Sequence, residues 1–322
     1  MRFSLRLSSG VGLQEFRDAA IACEDYGFDQ IWTGNDLLRR SGLVPVVLAL
    51  EATSHLQVGS SVLNPVTLHP AEIAMITANL QELSAGRYLL GLGAGSQVFL
   101  RWAGLQPDTP VARTRRGLRA VRALLSGGVP DGWHEQAALK DGPAPATRIY
   151  LGAMGPKMLA LAGREADGVL ALCLPPDRFG WFRRQVGAVG EDFDLVCCLW
   201  CSIDDDPAAA RARLAPKVAA YAGSLAPATL EAGGFDVERF AAVAALVERG
   251  QQQAAVAAVD EDMLRLGLAG SADEVAERCR QLAAAGATHL SFGQPLGRTS
   301  HEALRLLGTR VLPALDDLRG AA

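Results

Sequence analysis

Gly59-Ser60-Ser61-Val62-Leu63-Asn64-Pro65-Val66-Thr67-Leu68-His69-Pro70 and, after thirteen intervening residues, Ser84-Ala85-Gly86-Arg87-Tyr88-Leu89-Leu90-Gly91-Leu92-Gly93-Ala94-Gly95-Ser96 decide the fold. The first closes an apolar strand over residues 56–61. Pro70 then opens a helix at its first turn, where its missing N–H costs nothing, and that helix runs to residue 83. A second apolar strand follows over 87–92. Continuous apolar runs separated by a helix describe parallel strands buried on both faces. Each strand here ends in a loop rich in Gly or Asn, where backbone can approach a ligand closely.

The same unit repeats outward in both directions. Strands are expected over 2–7, 28–33, 149–152, 168–172, 194–201 and 289–292. Helices are expected over 13–26, 43–54, 111–125, 156–163, 177–189, 271–285 and 301–312. Gly27 terminates the first of these helices, and Ser271 with Glu274 forms a capping box on another. Eight strands alternating with helices point to α/β architecture, a (β/α)8 TIM barrel with loop insertions. A doubly wound sheet is the alternative, though it ordinarily has fewer units. No linker composition divides the chain, so residues 1–322 are expected to form one domain, with insertions near 126–147 and 204–263.

Of the 322 residues 49% are hydrophobic, enough for a large core, and the formal charge of −4 creates no field attracting nucleic acid or anionic membranes. The start, Met1-Arg2-Phe3-Ser4-Leu5-Arg6-Leu7, is too charged for a signal peptide. No apolar run reaches the roughly 18 residues of a membrane span. A cytoplasmic protein without nucleic-acid or membrane partners is expected. Six cysteines in this length do not suggest a disulfide framework. Cys197 and Cys198 are neighbours on one strand and point to opposite faces, so they are expected to be buried thiols, not metal ligands.

In such barrels functional residues gather at strand ends. Gly91-Leu92-Gly93-Ala94-Gly95-Ser96 and Gly152-Ala153-Met154-Gly155-Pro156-Lys157 are Gly-rich strand-to-helix turns, and helix N-termini after such turns present N–H groups to anions. An extended ligand carrying phosphate is one reading; tight turns alone are the other.

The run Asn64-Pro65-Val66-Thr67-Leu68-His69-Pro70-Ala71, with Leu83 through Gly95, resembles the luciferase-like monooxygenase superfamily. Within it the chain is similar to the coenzyme F420-dependent branch, in particular its methylenetetrahydromethanopterin reductase group. That likeness extends through Tyr150–Leu159, Cys198–Asp206 and Leu268–Glu274. The resemblance implies an F420-dependent oxidoreductase acting on a small-molecule substrate and working as a homodimer. It also implies a non-prolyl cis peptide between Ser61 and Val62, behind the deazaflavin ring. Asn64 matches a position that hydrogen-bonds the cofactor, and Met154, Gly155, Lys157 and Met158 match the turn holding its phosphate-bearing tail. With Asn35, Gly93, Gly95, Ser96 and Gly152, these residues make the expected cofactor-binding set.

Two departures narrow the chemistry. Relatives often carry Asp-His after the second strand, where this chain has Asn35-Asp36. Ser96 stands where the family's sugar-phosphate dehydrogenases carry glutamate. An alcohol dehydrogenase needs a base near the carbinol, and the obvious ones are missing. A reductase of a C=N or C=C bond is therefore expected, with Asp36 the candidate catalytic residue or, alternatively, a cap on the following turn. Arg39 and Arg40 either meet the cofactor's carboxylates or form a solvated loop, and His69 is expected to pack or bind ligand. An FMN-dependent monooxygenase and a non-catalytic flavin-binding barrel are the competing functions, with FMN the alternative cofactor.

Overall fold

Ser60, Leu90 and Ile149 sit in register on neighbouring strands, each at most 1% exposed, because a parallel sheet buries both faces of such runs. The computed structural model describes residues 1–106 and 108–319. They fall into two compact units. One comprises Arg2–Leu172 with Phe182–Val196; the other comprises Met1, Cys173–Trp181 and the chain from Cys197 onward.

The first unit carries β1 (Arg2–Leu7), α1 (Leu13–Asp25), β2 (Gln30–Thr33), α2 (Leu43–Ala52), β3 (Gln57–Leu63), α3 (Pro70–Ser84) and β4 (Tyr88–Leu92). There follow α4 (Gln97–Trp102), α5 (Pro110–Leu125), β5 (Ile149–Ala153), α6 (Pro156–Glu165) and β6 (Gly168–Leu172). Strands β1 to β6 are parallel and lie side by side in chain order. Right-handed crossovers between sequential strands put their helices on one face of the sheet. Leu5, Ile31, Val58, Leu90, Leu151 and Val169 make up the apolar face that such helices cover.

The opposite face alternates rings with glycines. Arg6, Trp32, Gly59 and Leu89 are in register across β1 to β4, and Gly91, Tyr150 and Gly168 across β4 to β6. A Cβ on Gly59 would lie 2.2 Å from the Trp32 ring, and one on Gly168 would lie 2.4 Å from Tyr150. The two rings meet edge to face at 5.1 Å. Tyr150 donates to Asp194 at 2.9 Å, and Asp194 pairs with Arg2 at 2.9 Å. Burial, reinforced by the Asp194 charge, pushes the Tyr150 phenol up, so it remains a donor.

Local signals in the sequence act as expected. Gly27 takes φ 73° and closes α1, with Phe28 N–H reaching the Cys23 carbonyl at 2.8 Å. Arg87 spends its guanidinium on the carbonyls of Leu50, Leu56 and Ser84 and on the Thr53 hydroxyl, which ties the ends of α2 and α3 to the start of β3. Much of the Ser84–Arg87 motif is therefore structural.

Helix α7 (Phe179–Val186) and strand β7 (Asp194–Ile203) precede α8 (Pro207–Tyr221), α9 (Pro227–Ala232), α10 (Val237–Glu248), α11 (Gln252–Ala257) and α12 (Glu261–Leu264). Then come β8 (Leu268–Gly270), α13 (Ala272–Ala284), β9 (His289–Leu296) and α14 (Ser300–Leu306). In the second unit β8 pairs with Cys201–Ile203 of β7, a strand absent from the sequence reading. The Ser271–Glu274 capping box is present. The insertion after β7 is helical, whereas residues 126–148 hold no helix or strand. All six cysteines are buried and none forms a disulfide, and burial pushes the Cys23, Cys197, Cys201 and Cys279 thiols up, leaving them neutral. Among the described residues no helix is long and apolar enough to cross a membrane.

Candidate functional site

The ends of β2, β3 and β4 enclose a cavity of about 170 Å³ in the first unit, lined by Asn35, Asp36, Leu37, Ser61, Val62, Asn64, Thr67, Gly95, Ser96, Phe99 and Leu100. A larger one of about 690 Å³ lies against the outer side of α3, beside Met75, Trp133 and Lys140. Size favours the second and chemistry the first, because only the first collects the strand-end residues.

Its floor is built by an irregularity in β3. Ser60 is in register with Leu90 and Leu63 with Leu92, so β3 holds one residue more than β4 over that step. The Ser61–Val62 peptide within this bulge is cis, as the family likeness implies. The Val62 side chain turns toward β4 and β5. A Cβ on Gly93 would lie 2.6 Å from Val62 Cγ2, and one on Gly152 would lie 2.9 Å from Val62 Cγ1. These two glycines thus have a packing reason as well as a proposed ligand role: they make room for Val62 behind the cavity.

Asn64, only 6% exposed, fastens the wall. Its Nδ2 donates to the Ala94 carbonyl at 2.9 Å, and its Oδ1 accepts from Val66 N–H at 2.8 Å. Gly95 sits at φ 65°, and a Cβ there would meet Asn64 Nδ2 at 2.6 Å. The loops after β3 and β4 are therefore held against each other before any ligand arrives. Asn35 plays the matching part after β2, accepting from Gly42 N–H at 2.8 Å.

Asp36 is exposed and is the one titratable side chain among the lining residues. Its carboxylate accepts from the Ser9 hydroxyl at 3.4 Å, at the end of β1. The turn after it is closed by backbone, Arg39 N–H to the Asp36 carbonyl at 3.3 Å. Arg39 and Arg40 are exposed, their guanidinium groups beside Gly10 and Gly12.

The tail-binding candidates lie apart from the cavity, in the turn from β5 to α6. Met154 is 47% exposed, Gly155 is the N-cap of α6, and Lys157 is exposed in that helix's first turn. His69 is exposed and caps α3, accepting from Ala71 N–H at 3.2 Å, with its ring stacked on Trp133 at 5.1 Å. Leu37, Thr67, Phe99 and Leu100 escaped sequence reasoning. Phe99 and Leu100 ride on α4, whose six residues are too few to show helical period. Among the described residues no group of three or more His, Cys, Asp or Glu is placed to hold a metal ion.

The luciferase-like monooxygenase profile matches residues 1–289. The 5,10-methylenetetrahydromethanopterin reductase of Methanolobus tindarius is 30% identical, over 90% of this chain and 93% of that protein. Its counterpart in Archaeoglobus fulgidus is 28% identical over 98% and 100%. The solved structure of coenzyme F420-dependent tetrahydromethanopterin reductase from Methanopyrus kandleri superposes with a TM-score of 0.89 at 26% identity, covering 97% of this chain and 98% of that one. These matches give the fold class as the (β/α)8 barrel.

Proposed function

The chain belongs to the luciferase-like monooxygenase family, and from that premise we propose that it is a coenzyme F420-dependent oxidoreductase, a reductase acting on a C=N or C=C bond of a small metabolite. The observation carrying this reading is the whole-length likeness to F420-dependent reductases, joined to a cavity whose wall is pre-assembled around Val62, Asn64 and Gly95.

The residues fit such a cofactor. A cavity of about 170 Å³ accepts one end of a large ligand and not the whole. Val62 gives that end an apolar backing, while Asn35, Ser61, Asn64 and Ser96 provide polar edges. The N-terminus of α6, with Gly155, Lys157 and Met158, suits a phosphate. When bound, F420 supplies a hydride from C5 of its reduced ring. The chain orients the acceptor, and Asp36 holds or delivers the proton at its carboxyl oxygen.

We also place the protein in the cytoplasm as a homodimer. Val44 and Val47 of α2 are 48% and 39% exposed, and Met75 and Leu83 of α3 are 51% and 44% exposed. Exposed apolar side chains on adjacent helices favour a second copy as partner. Sedimentation should give twice the chain mass at micromolar concentration; a stable monomer refutes the pairing.

Titration of the purified protein with F420 and with FMN tests the function. Saturable quenching of deazaflavin fluorescence, followed by oxidation of reduced F420 with an activated alkene or iminium, is expected. Tight FMN binding without F420 binding overturns the reading.

A further inference from the structure

Arg6 stands on β1 in register with Trp32 and Gly59, on the sheet face away from the helices. It lies two residues before Ser8, and Ser8 and Ser9 adjoin Gly34, whose own Cβ position is 3.4 Å from the Asp36 carboxylate. The side chain is thus rooted one pleat below the rim that carries Asp36. Its Nε and Nη2 atoms are buried and lack any hydrogen-bond partner.

Arg113 and Arg213 also bury one nitrogen each without a hydrogen bond. Both of these side chains reach a carboxylate, Asp108 or Asp204. Arg6 has no such ion pair among the described residues. A guanidinium stays charged throughout the ordinary pH range and is costly to desolvate alone. Nε–H and Nη2–H also lie parallel along one edge of the group, the fork that meets both oxygens of a carboxylate.

We propose that Arg6 binds a carboxylate of the substrate through Nε and Nη2, which makes the substrate an unsaturated acid or imino acid. That the carboxylate belongs to a substrate rests on the reductase reading. The residues assigned to the cofactor come mainly from the ends of β3, β4 and β5, whereas Arg6 shares the β1–β2 side with Asp36. A carboxylate anchored there sets the position of the reducible bond relative to Asp36.

The test uses the full chain with and without F420, and Arg6→Lys and Arg6→Met. Acetate and benzoate are the probes, acetamide and benzamide their neutral matches, and inorganic phosphate the tetrahedral anion. Calorimetry and thermal melting read binding, and F420 fluorescence reads the cofactor separately. Saturable carboxylate binding is expected in the wild type, weakened about tenfold or more by Arg6→Lys, which keeps the charge and loses the fork. Arg6→Met should abolish it, leave F420 affinity unchanged, and melt higher than the wild type without anion, because an uncompensated charge is gone. Four outcomes overturn the proposal: no carboxylate binding in the wild type, undiminished binding in Arg6→Met, phosphate bound as well as carboxylate, or F420 affinity lost together with Arg6. A protein that binds carboxylates through Arg6 yet ignores F420 keeps the anion site and overturns the reductase reading instead.

Discussion

Gly93→Ala places a methyl 2.6 Å from Val62 Cγ2, far inside van der Waals contact, and Gly93 is buried with no positive φ to complicate the substitution. Overpacking of this kind costs about 1–3 kcal/mol. Val62→Ala removes both γ-methyls and should cost about 1–1.5 kcal/mol by itself, in the range for losing one or two buried methyls. Once those methyls are gone the methyl added at position 93 fits, so the double variant should be little worse than Val62→Ala. The expected coupling is about 1–2 kcal/mol, well above the scatter of independent sites. Gly152→Ala, whose Cβ meets Val62 Cγ1 at 2.9 Å, should couple in the same sense but less strongly. Urea unfolding of the cofactor-free protein, followed by tryptophan fluorescence, measures all four corners of each cycle. Additivity to within about 0.5 kcal/mol would show that Val62 does not occupy the space above the glycines, and the account of the cavity floor would fail.

Asp36→Asn keeps the side-chain size and should lower turnover by about 10²–10⁴-fold, the usual weight of general acid–base help, with F420 affinity and melting temperature nearly intact; unchanged turnover assigns the proton to water. Lys157→Ala should weaken F420 binding by about 1–3 kcal/mol, the range for a hydrogen bond to a charged group, and should spare a tail-less deazaflavin. An equal loss with that fragment places the lysine's effect on the ring or the fold. Burial raises the Glu24 carboxyl, but backbone N–H donors of His55, Ser54 and Leu56 at 2.7–3.0 Å outweigh it and hold its pKa below the usual carboxylate range. A depressed folded pKa means that its stabilisation is complete above the unfolded value of about 4.3 and is lost as pH falls through the folded one. Glu24→Gln should therefore flatten the loss of stability in that acid window, and an unchanged acid-unfolding curve refutes the role.

Much of the fold was legible because its signals are local. Pro70, Gly27 and the Ser271–Glu274 box act within a few residues of themselves, and β6 lies where its apolar run placed it, Gly168–Leu172. What escaped was short or depended on a neighbour. Helix α4 has six residues, and β8 has three that become a strand only by pairing with Cys201–Ile203. The prolonged end of β3 at Leu63 escaped for the same reason, since the extra residue is defined against β4.

The sequence by itself determined the alternation of strands and helices, the glycine-bearing strand ends and the residue types offered there. Those depend on apolar period and on backbone conformations that few residues adopt. Only the tertiary structure decided what each residue does. Gly93 and Gly152 read as approaches for a ligand, yet the Val62 side chain fills the space beside both, since a bulge in one strand sets what the next two must accommodate. Asn64 reads as a cofactor ligand, yet its amide already joins two loops. Arg6 reads as one more charge in a charged opening segment. Its significance lies in a carboxylate that no other part of the described chain brings to it, because pairing depends on where every other charge comes to rest.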